Sequence, residues 1–81
     1  MTQPAILAID QGTTSSRAFV FDVSGGIVSK ARQEIGQHYP RPGWVEQEPE
    51  DIWLSVLSTA RRALEDAFAR GFNVVAIGIT N

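Results

Sequence analysis

Two strand-length runs, residues 5–9 (AILAI) and 74–79 (VVAIGI), carry no polar side chain and stand near opposite ends of an 81-residue chain. Unbroken apolar runs of this length suit central strands covered on both faces, whereas a strand with one wet face alternates; periodicity alone leaves a buried helix segment open. We read both as strands. The polypeptide between them must then leave the first run and return to its side.

That polypeptide divides readily. After residues 5–9 come Asp10 and a turn at Gly12, and residues 17–23, rich in Phe and Val and broken by Asp22, read as a second strand returning antiparallel. Asp22, Ser24, Gly25 and Gly26 signal a second turn, since paired glycines readily supply positive φ. Residues 27–37 alternate, with Ile27, Ser29, Ala31, Gln33 and Ile35 on one face and Val28, Lys30, Arg32 and Glu34 on the other. A charged alternation of this kind suits a sheet edge. Pro40, Pro42 and Gly43 then make a loop, after which residues 45–47 are briefly extended.

Pro49 fits the first helical position, and Glu48, Glu50 and Asp51 place negative charge at the positive end of the helix dipole. The helix carries an apolar stripe of Trp53, Val56, Leu57, Ala60, Ala63, Leu64, Ala67 and Phe68, which is expected to pack on the sheet with Trp53 in the core. Gly71 terminates it. A helical crossover from the third strand then sets residues 74–79 beside the first strand and parallel to it, giving the order 3-2-1-4. The fold class is α/β: three strands, a helix and a fourth strand in a mixed sheet. A fully apolar strand at an open edge, with no second helix for the other sheet face, is what an amino-terminal piece of a larger domain would show.

Charge and composition exclude several functions. Seven basic and nine acidic residues, net −2, are dispersed along the chain, so there is no basic footprint for nucleic acid or an anionic membrane. No apolar run is long enough for a signal peptide or a membrane span. The chain has no cysteine, which fits a reducing, cytoplasmic compartment. A chain this short buries only about 60% of the surface its unfolded form exposes, so its stability is marginal.

The chemistry is concentrated in Asp10-Gln11-Gly12-Thr13-Thr14-Ser15-Ser16-Arg17 (DQGTTSSR). Neither G-x-x-x-x-G-K-[ST] nor G-x-G-x-x-G is present. Even so, the backbone N–H groups and hydroxyls of such a turn can form a concave anion site, a carboxylate at a strand end can hold hydrated Mg²⁺, and Arg17 can complement phosphate charge. The plainer alternative is a polar hairpin in which Asp10 and the hydroxyls satisfy turn backbone groups. Elsewhere, His38 reads as a loop residue without a catalytic partner, and Trp44 as an anchor for the neighbouring prolines or a cleft-lining side chain. Glu46, Glu48, Glu50 and Asp51 read as a solvated acidic helix start.

The segment AIDQGTTSSRAFVFD (residues 8–22) resembles the first phosphate-binding hairpin of the sugar and polyol kinases of the actin-like, ribonuclease H-like ATPase superfamily. YPRPGWVEQEPEDIW (39–53) resembles the loop and helix start of the same kinases, and VVAIGITN (74–81) resembles the strand before their substrate-contact segment. Related pentulose kinases more often show a hairpin resembling DLGTSS with Lys at the last position, so Gln11, Thr14 and Arg17 resemble the glycerol-phosphorylating branch. The resemblance implies that residues 1–81 begin the first actin-like ATPase domain of a cytoplasmic, homo-oligomeric enzyme that converts glycerol and ATP to glycerol 3-phosphate and ADP. By motif position, Thr13, Thr14, Ser15 and Arg17 contact the nucleotide phosphates and Asp10 orients Mg²⁺. No catalytic residue is expected among these residues, because the resemblance puts a Gln-Arg-Glu segment and the aspartate base beyond Asn81. Competing readings are another sugar kinase, a non-catalytic actin- or chaperone-like nucleotide binder, and a metal-dependent nuclease of related topology.

Overall fold

The computed structural model describes residues 2–36 and 48–80. The third strand ends at Glu34, so Ile35 and Gly36 leave the strand expected to run to residue 37; Gln37, the proline loop with His38 and Trp44, and the expected extension at 45–47 with Glu46 lie outside the described residues. Four strands form one sheet: β1 (Gln3–Gln11), β2 (Ser15–Asp22), β3 (Ile27–Glu34) and β4 (Phe72–Thr80), with helix α1 (Pro49–Ala69) between β3 and β4. The order is β3-β2-β1-β4, as the sequence predicts; β1 pairs antiparallel with β2 and parallel with β4, and β2 pairs antiparallel with β3. β1 and β4 extend one or two residues beyond their apolar runs at each end because backbone pairing continues where side chains no longer need burial.

The second turn is held by its aspartate. Asp22 Oδ1 accepts the N–H groups of Ser24 and Gly26 at 2.9 Å, and Gly25 takes φ +87°. At the other glycine signal, α1 ends as expected: Arg70 caps it, and Gly71 with φ +89° donates its N–H to Phe68 O at 3.0 Å.

Two register shifts alter which residues are covered. In the β2–β3 ladder Val20 faces Ser29 but Phe21 faces Ile27, so the intervening Val28 turns towards the core and Ile27 is exposed, in place of the strict alternation. In the β1–β4 ladder Ala5 faces Val74 and Ile6 faces Ala76, so Val75 is the extra residue.

The core lies between α1 and one sheet face, built from Ala5, Leu7, Ile9, Ala18, Val20, Ala63 and Ala67. Here the helix differs from its apolar pattern. Its buried row is Ser55, Thr59, Ala63 and Ala67, at strict four-residue spacing, while Trp53 is 58% and Phe68 72% exposed and Leu57 is exposed too. The cause is where the helix rests: α1 lies mainly over β2 and β3. Small residues there allow close approach, and the hydroxyls of both surfaces find acceptors on the helix. Thr59 Oγ1 donates to Ser55 O at 2.9 Å, and Ser29 Oγ donates to Ala63 O at 2.7 Å. Trp53 and Phe68, too large for that gap, sit on the flanks. With α1 displaced towards β3, β4 keeps Ile77 and Ile79 exposed although they register with buried Leu7 and Ile9.

Position therefore outweighs residue type. In the 81-residue chain, Leu7→Ala removes a fully buried side chain and is expected to cost about 2–5 kcal/mol, whereas Ile79→Ala, exposed in that chain, should stay within about 0.5 kcal/mol. Urea denaturation midpoints of the two variants check this.

Candidate functional site

The hairpin joining β1 and β2 presents the polar segment singled out in the sequence. The ladder runs to the Asp10–Arg17 and Gln11–Ser16 rungs, and beyond them residues 12–15 close through the Gly12 N–H donating to Ser15 O at 2.8 Å. Thr13 and Thr14 form the exposed tip, and Ser15 is buried at its base. A second tether comes from beyond β3, where the Ile35 N–H donates to Thr14 O at 2.9 Å. The tip is thus anchored through backbone groups of its own and of the adjacent chain.

Gly12 serves this turn by a route other than the left-handed conformation that a glycine at a reversal suggests. Its φ is not positive. A Cβ there would meet Ser15 O at 3.3 Å, a tight contact, and Arg17 Nη2 at an ordinary 3.6 Å, so glycine is favoured by close approach of the second arm's backbone.

Strand alternation separates the hairpin's two kinds of polar group. Ala5, Leu7 and Ile9 point under α1, so Asp10 points from the opposite sheet face, and its register partner Arg17 joins it there. Arg17 Nη2 lies 2.7 Å from Asp10 Oδ2, with the side chains 43% and 35% exposed. An ion pair this wet contributes on the order of 0.5 kcal/mol, so it orients the guanidinium more than it stabilises the fold. Arg17 Nε is buried and, among the described residues, has no hydrogen-bond partner. A buried unmatched donor costs about 1–3 kcal/mol, which gives this cation a reason to take a further acceptor.

The parallel pairing of β1 and β4 also sets Thr80 directly beside Asp10, at the carboxyl ends of two adjacent parallel strands. That end of an open α/β sheet is where ligands usually bind. Thr80 was not a candidate on sequence; only its register partner brings it to the site. Ser16, too, carries no local signal in the sequence. It points to the α1 face, fully buried, where its Oγ lies 2.7 Å from Ser55 Oγ.

The arrangement offers a donor-rich exposed tip, one carboxylate and one arginine on a common face. Among the described residues no three His, Cys, Asp or Glu side chains cluster for a metal. A single carboxylate beside a hydroxyl suits a hard, largely hydrated cation shared with a ligand's oxygens rather than a closed protein cage. Among the described residues no helix is long and apolar enough to cross a membrane.

Comparison with known proteins gives this geometry a context. The model of the FGGY family of carbohydrate kinases, N-terminal domain, matches residues 5–81. A glycerol kinase of Rhodospirillum centenum is 60% identical over 79 residues, which make up 98% of this chain and 16% of that protein. The chain thus spans about a sixth of that relative's length. Among solved structures, the Plasmodium falciparum glycerol kinase with ADP superposes with a TM-score of 0.83 at 29% identity, covering 99% of this chain and 16% of that one. The xylulose kinase from Rhodospirillum rubrum, also at TM-score 0.83, is 23% identical over 93% of this chain and 15% of its own, a likeness of fold alone.

Gly12→Ala tests the hairpin geometry. Crowding of about 1–3 kcal/mol exceeds the 0.4–1 kcal/mol that a stiffer unfolded chain returns, so a net loss of about 1 kcal/mol is expected. The same variant should exchange the amides of residues 12–15 faster.

Proposed function

Because this chain belongs to the FGGY family of carbohydrate kinases, we propose that the whole protein is an ATP-dependent kinase that phosphorylates a terminal hydroxyl of glycerol, giving glycerol 3-phosphate and ADP. The observation that carries the choice of glycerol is the 60% identity to the Rhodospirillum centenum glycerol kinase across 79 residues. The hairpin adds independent chemical support. Phosphoryl transfer needs positioning and neutralisation of charge more than covalent chemistry from the protein, and an exposed donor-bearing tip beside an arginine and a carboxylate supplies both.

In this reading Thr13, Thr14 and Ser15 hold the nucleotide phosphates. The exposed threonines do so with hydroxyl and backbone groups, and Ser15, buried at the base, shapes the turn from which they project. Arg17 neutralises charge near the transferred group; its unmatched Nε–H and its weak tie to Asp10 leave it able to accept an anion. Asp10, with Thr80 beside it in register, holds the hydrated Mg²⁺ that accompanies ATP. When bound, that ion would offset phosphate charge. Residues 1–81 begin the first actin-like ATPase domain, and the aspartate that takes the proton from glycerol lies outside them. The enzyme works in the cytoplasm, a reading that fits the lack of cysteine among residues 1–81.

Steady-state assay of the full-length protein with glycerol, xylulose and gluconate tests the substrate. ADP should form with glycerol in clear preference, and preference for a pentulose would reassign the enzyme within its family. Thr13→Ala and Arg17→Ala should each lower kcat about a hundredfold with less effect on KM for glycerol. Unchanged turnover in both variants would remove the hairpin from the reaction. The isolated 81-residue chain is expected to form no glycerol 3-phosphate.

A further inference from the structure

Ser16 and Ser55 meet between the hairpin and α1, with their hydroxyl oxygens 2.7 Å apart and exposures of 0% and 4%. Ser55 Oγ is also 2.7 Å from Ile52 O, to which it donates. The direction of the whole relay follows from proton count. Each hydroxyl carries one proton and a carbonyl only accepts. The Ser55 proton is therefore committed to Ile52 O, and Ser16 must donate to Ser55.

Ser16 is a consequential residue to hold in this way. It forms the last ladder rung, with Gln11, before the tip of residues 12–15, and it follows Ser15 directly. The tip is already tied from the β3 side through Ile35 N–H and Thr14 O. The Ser16–Ser55 bond ties the base of the same hairpin to the helix. Two tethers from different elements fix a turn that its own ladder would leave free to pivot.

We infer that Ser55, buried on α1, is a positioning residue for the phosphate hairpin: it accepts the Ser16 hydroxyl and so sets where Thr13, Thr14 and Arg17 stand. This rests on the kinase reading of the hairpin, since positioning matters to catalysis only if the tip holds phosphates. The relay is asymmetric. Ser55→Ala strands the Ser16 O–H in a dry site without an acceptor, and the hairpin must move to relieve it. Ser16→Ala removes the donor and leaves Ser55 bonded to Ile52 O. Removing both hydroxyls leaves no orphan at all.

The test uses the full-length protein carrying Ser55→Ala, Ser16→Ala, the double variant and Ser55→Thr. Ser55→Ala should lower kcat/KM for ATP roughly ten- to a hundredfold, the scale of a small misplacement of reacting groups, while KM for glycerol stays unchanged. Ser16→Ala and the double variant should both be less impaired than Ser55→Ala, and Ser55→Thr, which keeps the hydroxyl, should restore activity. Amide exchange at residues 13–15 should rise in Ser55→Ala and fall back in the double variant. A merely structural serine would lower the yield of folded enzyme but leave kcat per active site and KM for ATP alone, and that result would overturn the inference. So would a double variant worse than Ser55→Ala. Failure of the kinase reading is separable: the unsubstituted protein would then phosphorylate no glycerol, and the inference would stand or fall on amide exchange and on calorimetric affinity for Mg·ATP, neither of which needs an acceptor.

Discussion

The close contact of α1 with β2 and β3 is the constraint on which the other features depend. A helix can approach a sheet this nearly only where the facing side chains are small, and here they are Ser55, Thr59, Ala63 and Ala67 against Ser16, Ala18, Val20 and Ser29. Burying four hydroxyls would be unfavourable without partners. Ser29 and Thr59 reach helix carbonyls, and Ser16 reaches Ser55, which itself donates to Ile52 O. The seam is polar in composition and satisfied in detail.

From that seam follow both the exposed surface and the placed hairpin. Because α1 sits over β2 and β3, the large apolar residues on its flanks, Trp53 and Phe68, stay outside, and the carboxyl half of β4 is uncovered. On the other side of the sheet, alternation turns Asp10 and Arg17 away from the helix onto a common face. The hairpin is therefore fixed from beneath by buried hydroxyls while its charges and tip remain open to a ligand. Support below and donors above suit the phosphate-holding role proposed for this turn.

The charged pair illustrates how energy and function divide between these layers. Asp10 and Arg17 are too solvated for their attraction to stabilise the fold appreciably. Their placement, in contrast, is enforced by the strand register, so two opposite charges stand together beside the tip at little energetic cost. Groups held by the fold but weakly held by each other are free to exchange partners when a ligand with its own charges arrives.

The sequence by itself determined the strand order, the two turns and both ends of α1, and it singled out the polar hairpin segment proposed to hold phosphate. Each rests on local physics: unbroken apolar runs, aspartate and glycine at turns, proline at a helix start. It also pointed to the kinase family, through motifs whose order and spacing are specific, and the family match over residues 5–81 agrees. Three things were decided only by the tertiary structure. The apolar stripe found Val56, Ala60, Ala63, Leu64 and Ala67 on the sheet side of α1 but put Trp53, Leu57 and Phe68 inside and left out Ser55 and Thr59, because serine and threonine look polar until their protons are given to carbonyls of the helix itself. Thr80 reached Asp10 through a parallel register that no local pattern encodes. Ser16 met Ser55 across 39 positions of chain, since a contact between two small hydroxyls leaves no periodic trace in either segment and exists only once the helix has settled on the sheet.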